Sequence, residues 1–167
     1  LRHFGGDIDI AALEELPPPK LSVRAFTWGL PALIVLMVVY GFLTAGAETS
    51  IDMVEAWVLA NGGLSALGAA IALAHPLTIL TAFVAAPITS LNPMIAAGWV
   101  CGLVEVLLRK PQVGDLEQLA DDVTTLKGWW RNRVSHVLLV IMLANLGSAA
   151  GTLIGFGKIA LLLGGGS

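Results

Sequence analysis

Charge is what this chain lacks most. Its 167 residues include 9 Lys and Arg and 12 Asp and Glu, 13% charged in all, about half the roughly 25% of an ordinary soluble domain. The deficit excludes a fully solvated globular surface. A net charge of −3 gives no attraction to nucleic acid. Cysteine is nearly absent: Cys101 stands alone, so no intramolecular disulfide can form and the redox compartment is not readable. No HExxH pattern occurs, and no histidine has carboxylates or cysteines at metal-ligand spacing, so no metal, cofactor or catalytic residue is expected. The basic, apolar and small-residue succession of a signal peptide is also missing. The chain opens on Leu1 and reads as a piece of a longer protein.

What it has is hydrophobic length. Hydrophobic residues make up 56% of the sequence, and mean hydropathy is +0.83. Three stretches, Ala25–Ala47, Ala56–Leu108 and Val134–Gly157, carry almost no charge. Each reaches the ~20 apolar residues that a membrane-spanning helix needs. The middle stretch is so long that it must fold back on itself.

The pattern predicts an all-α integral membrane protein with about five hydrophobic helices and one cytoplasmic amphipathic helix. Residues 1–24 form a polar cytoplasmic segment. In it Asp9 is suited to cap a short helix with Ile10, Leu13 and Leu16 on one face, and Pro17–Pro19 ends that helix as a stiff spacer. Residues 25–163 form a multi-span membrane domain, with spans at about 25–45, 56–74, 77–91, 93–108 and 134–157. Trp28 and Trp57 open the first two spans, where aromatic rings favour the interface. The intervening AGAETSIDMVE, with three acids and no base, reads as a loop. The pieces 77–91 and 93–108 each reach only ~24 Å, short of the ~30 Å hydrocarbon core. Residues 76–108 therefore either cross twice or form a re-entrant helical hairpin. Val113, Leu116, Leu119, Val123 and Leu126 recur at helical spacing and predict the amphipathic helix at about 115–128. Asp115 with Gln118 suggests a capping box, and Gly128 a C-terminal stop. The closing GGGS at 164–167 reads as an added linker.

Lys20 and Arg24 precede the first span, and Arg109, Lys110, Lys127, Arg131 and Arg133 flank the amphipathic helix. The positive-inside rule puts both segments in the cytoplasm and 46–55 outside, with the C-terminus external.

Several stretches together carry a family resemblance: LPPP before the first span, NGGLSALGAAIALAHPLTILTAFVAAPITSLNPMIAAGWVCGLVE, LLRKPQVGDLE, LKGWWRNRV and LANLGSAAGT. The sequence from Ile8 to Phe156 resembles the C-terminal membrane domain of the TraB / pheromone-shutdown family. That resemblance implies the plasma membrane of a prokaryote and an upstream domain related to the Tiki metalloproteases. The upstream domain's proposed catalytic elements are paired GxxH motifs with Glu and Arg. No GxxH occurs in this sequence, so none of those residues carries over.

The remaining candidates are polar residues at membrane depth. His75 before Pro76 reads as an interfacial cation at a helix C-terminus, with a metal ligand or proton relay as the sharper alternative. Glu105 lies in an apolar helix four residues before Arg109, which suits a structural ion pair or, equally, an ion or proton site. Asn61 and Asn145 suit hydrogen bonds between helices. Asn92 and Pro93 read as the N-cap and first residue of a helix, while Thr89 and Ser90 satisfy carbonyls freed near Pro87. That hinge is either a satisfied turn or a discontinuous-helix binding site. Gly98 with Gly102, and Gly147 with Gly151 and Gly155, form small-residue stripes for close helix packing.

Three functions compete. The first is a membrane anchor and oligomerisation domain whose upstream partner acts on peptides. Its partners are the lipid bilayer, the upstream domain and further copies of itself. The second is a channel or transporter lined by the polar residues. The third, intramembrane metalloprotease chemistry through His75 and Glu105, lacks a motif.

Overall fold

A computed structural model describes residues 21–91 and 95–164, and the side chains of all of these except 21–27, 30, 31 and 45. The expected N-terminal helical turn, the Pro17–Pro19 spacer, Asn92 with Pro93, and most of GGGS lie outside the described residues. Among the described residues every regular element is helical. The helices are α1 (Leu21–Ile71), α2 (Pro76–Thr89), α3 (Ala97–Arg109), α4 (Val113–Glu117), α5 (Leu119–Asp122), α6 (Leu126–Arg131) and α7 (Arg133–Gly164).

α1 is two arms, 21–45 and 47–71, divided at Gly46, whose φ of 89° and ψ of 174° break the helix. A side chain would strain that conformation, which glycine adopts freely. The chain turns back here: a Cβ on Gly41 would stand 2.9 Å from the Met53 side chain, and Ile34 joins Met53, Trp57 and Ile159 in one buried cluster. The loop expected at 46–55 is thus a single residue. Glu48, Asp52 and Glu55 begin the second arm, where carboxylates suit a helix N-terminus.

α2 and α3 form an antiparallel hairpin. At its base the His75 N–H donates to Glu105 Oε2 over 3.1 Å. Near its tip Trp57 Nε1 donates to the Pro87 carbonyl over 3.3 Å. With 14 and 13 residues, the two helices are about 20 Å long. α3 starts at Ala97 with Ala96 as N-cap, four residues later than Pro93 as expected from sequence. Pro87 has no N–H, so the Phe83 carbonyl loses its helical donor. That carbonyl packs on Gly62, where a Cβ would approach it to 2.5 Å.

α7 runs for 32 residues alongside the second arm of α1. Small residues set their separation. A Cβ on Gly151 would lie 2.5 Å from the Ala60 carbonyl oxygen, and Gly68 and Gly147 meet the backbones of Leu143 and Leu64. A Cβ on Gly155 would stand 3.1 Å from the Trp57 ring, and one on Gly102 2.5 Å from the Ile141 side chain. Both stripes expected from sequence are therefore occupied inside one chain. Ala69, Ala72, Ala74, Ala82, Cys101 and Ala144 continue this close-packed core with Leu139 and Val140.

The amphipathic helix expected at 115–128 is instead α4, α5 and α6. Its first cap is Gln112, whose N–H donates to Asp115 Oδ2 over 2.7 Å, rather than the Asp115–Gln118 pair. Thr125 divides the rest: its Oγ1 accepts from the Gly128 N–H at 3.1 Å and so caps α6. Gly128 lies inside α6, pressed against the Asp122 backbone, and is no terminal stop.

Among the described residues two helices are long and apolar enough to cross a membrane, Gly46–Ile71 and Arg133–Gly164. Ala32–Thr44 and Pro76–Thr89 are apolar but shorter.

Candidate functional site

The largest concentration of buried polar chemistry lies where the turn before α2, the end of α3 and the start of α7 meet. Glu105 is fully buried. Its Oε1 accepts from Arg109 Nε at 2.5 Å, and its Oε2 accepts from the Thr78 hydroxyl at 2.5 Å as well as from the His75 N–H. Arg109 also donates to the Leu73 carbonyl over 3.2 Å, tying α3 to the turn. Leu73 is left-handed at φ 62°, which costs a bulky residue about 1 kcal/mol.

His136 completes the group. Asn132 caps α7, its Oδ1 accepting from the Val134 and Ser135 N–H groups at 2.9 and 3.3 Å. The cap places His136 on the first turn, facing α3. Its residue exposure is 1%, and neither ring nitrogen has a hydrogen-bond partner. Nδ1 stands 3.6 Å from Glu105 Oε1, beyond hydrogen-bond reach. Buried polar atoms without partners are uncommon and call for a reason.

A second, uncharged cluster lies at the other end of α3. Asn61 is buried, its amide 2.9 Å from Ser148 Oγ and 3.1 Å from Thr152 Oγ1. Ser65 donates to the Ala144 carbonyl over 3.0 Å. Asn145 Oδ1 accepts from the Gly98 N–H at 2.7 Å, so a side chain of α7 occupies the first turn of α3. Thr89 and Ser90 donate to the Ala85 and Pro87 carbonyls at 2.9 and 3.0 Å. Thr89, Ser90, Asn145, Ser148 and Thr152 border one notch.

The sequence-derived candidates thus divide in two. Thr89, Ser90, Asn145 and Asn61 gather around the hinge. Glu105 belongs to the base of the hairpin. His75 contributes only its backbone there: its ring is exposed and Nδ1 accepts from the Leu77 N–H at 3.2 Å. It caps the start of α2 instead of ending the preceding helix. His136 and Thr78 were not among the candidates. The signal for them was Glu105 itself, since a carboxylate in an apolar helix requires partners on its neighbours.

Among the described residues no three His, Cys, Asp or Glu side chains converge as a metal site. Arg109 already neutralises Glu105, and free Cys101 is buried in the apolar core.

Residues 22–164 match the family described as TraB family protein, C-terminal domain. The chain belongs to the TraB family. A protein of Methanocaldococcus jannaschii, described as uncharacterized, is 34% identical over 165 residues. The alignment covers 96% of this chain and 41% of that protein, so the chain spans about two fifths of its relative's length. No solved structure matches. The matched range of the TraB-family domain contains both polar clusters and every described helix except the first residue of α1.

Outside the bundle, the TraB-family chain ties α4–α6 into a compact knot. Asp122 pairs with Arg131 at 2.5 Å and with Asn132 Nδ2 at 3.0 Å. The Asn132 amide and the Arg131 guanidinium hold the Asp122 carboxyl below the usual carboxylate range.

Proposed function

We propose that this chain is the membrane-embedded domain of a longer TraB-family protein, anchoring an upstream domain that acts on peptides. The observation that carries the reading is an inversion of burial. Leu43, Leu153 and Leu161 are 76%, 77% and 75% exposed. Glu105, Asn61, Ser65, Thr78, Ser135 and His136 are inside. Water would reverse that distribution, whereas hydrocarbon favours it, because the polar groups satisfy one another out of lipid.

Length and charge support the placement. Both Gly46–Ile71 and Arg133–Gly164 exceed the ~20 residues needed to cross. The hairpin, at about 20 Å, enters and turns back. Arg109, Lys110, Lys127, Arg131 and Arg133 lie at the base of the hairpin, and Glu48, Asp52 and Glu55 follow the Gly46 kink at the other end. The positive-inside rule makes the basic end cytoplasmic. Most buried polar groups are spent on each other across helices, which favours an anchor over a conducting path. Gly147, Gly151 and Gly155 of α7 are spent within the chain, so any self-association would use another surface.

Alkaline carbonate extraction of cell membranes tests the placement. Retention in the bilayer fraction is expected, and release with peripheral proteins would overturn it.

A further inference from the structure

The anchor reading leaves the base of the hairpin without a role, and the hydrogen bonding there is incomplete. Glu105 is fully satisfied by Arg109, Thr78 and the His75 N–H, yet His136 beside it has two unpaired ring nitrogens. A ligand for these nitrogens has to be small, because His136 is 1% exposed. The surroundings suit a proton better than a metal: among the described residues no third donor converges, and the Arg109 guanidinium holds the Glu105 oxygen nearest the ring. A proton meets both requirements.

We propose that Glu105 and His136 form a proton-binding pair that locks the hairpin to α7. As pH falls the lone pair of His136 Nδ1 takes a proton from hydronium, releasing water; the ring becomes an imidazolium, and its new N–H donates to Glu105 Oε1. Closing the 3.6 Å gap to a charge-assisted bond of about 2.8 Å requires less than 1 Å of movement. Glu105 then bridges two cations, Arg109 on its own helix and His136 on α7. The other groups around the ring are accounted for. The turn brings the Ala72 and Leu73 backbone near the ring but outside hydrogen-bond geometry, with the His75 ring turned to Leu77. Thr78 of α2 does not titrate. Arg133 reaches the Lys110 carbonyl, and Asp122 is held by Arg131 and Asn132. Arg109 provides the route from solvent, since its side chain is 34% exposed.

NMR of the full chain in detergent micelles, with histidine ring carbons labelled, tests the pair. The sequence holds three histidines, and His136→Gln assigns the signal. In the wild type the His136 ring is expected to titrate while the fold persists. Glu105→Gln, which keeps the shape and removes the charge, should weaken proton affinity about tenfold and move the midpoint down. Arg109→Gln, which removes a neighbouring cation, should move it up. The opposite signs separate an electrostatic pair from a general loss of packing, and Arg109→Gln can be read even where Glu105→Gln does not fold. A ring that stays neutral throughout, or a midpoint indifferent to both charges, would overturn the proposal.

Discussion

α7 is held along two seams that differ in kind. Against the second arm of α1 the contact is one of shape: Gly147 and Gly151 admit the backbones of Leu64 and Ala60, and the hydrogen bonds through Asn61 and Ser65 are neutral. Against α3 shape gives way to charge along the helix. Gly98 and Gly102 pack at one end, and Glu105 with His136 stands at the other. Under the proposed membrane placement no hydrophobic force acts between the helices, so close approach and internal hydrogen bonding have to hold them together. The first seam relies mainly on geometry and has little to adjust. The second keeps a titratable pair, so it alone is placed to respond to its surroundings.

The sharpest break would come at the shape-based seam. Gly151→Leu drives a side chain into the backbone of Ala60 and Asn61, and stability should fall by about 3 kcal/mol. Denaturant titration followed by helical circular dichroism measures it. Gly63, where a Cβ meets nothing within 4 Å, is the control: Gly63→Ala should be neutral or stabilise by up to about 1 kcal/mol. Equal losses at both positions would show that the seam is not set by contact.

At the charged seam the expected cost is smaller but non-additive. Arg109→Gln leaves a buried carboxylate short of its counter-charge and should cost about 2 kcal/mol, moderated by the partial exposure of Arg109. The double change with Glu105→Gln should recover much of that loss in the same titration. Additive losses would mean that the two side chains do not act as a pair. At the other end of the same seam, Asn145→Ala removes the acceptor for the Gly98 N–H and should cost about 1 kcal/mol.

The smallest effect belongs to the knot outside the bundle. The Asp122 carboxyl sits below its ordinary range, so its contribution is present above about pH 4 and is lost as pH falls through its folded value. Asp122→Asn should lower stability slightly throughout the neutral region and so flatten the acid limb, leaving the most acid values little changed. An unaltered acid limb would assign the knot to the Asn132 hydrogen bonds alone.

How much of this was legible in the sequence depended on whether one residue or a pair carries the information. Five hydrophobic helices follow from charge-free runs, and an over-long run with Pro87 inside it has to bend. The hinge bonds of Thr89 and Ser90 were readable for the same local reason. Gly46 was not: the acids after it resemble a loop, although they suit the start of a helix, and only packing of Gly41 on Met53 shows how sharply the chain turns. The single amphipathic helix failed because periodicity in α4–α6 survives the breaks at Gln118 and Thr125. His136 was hidden because VSHVLLV looks like the polar edge of a span. Its importance appears only when α3 brings Glu105 beside it.

In the proposed topology the hairpin enters from the basic end and turns back inside the bilayer. Cys101 is the only native cysteine and is buried, so single cysteines placed in a Cys101→Ala background can be probed with a membrane-impermeant thiol reagent in sealed vesicles. Glu117→Cys should label only from the cytoplasmic side, Glu48→Cys only from the opposite side, and Ser90→Cys from neither. Labelling of Ser90→Cys from the side that reaches Glu48→Cys would contradict it, because the hairpin would then cross the membrane.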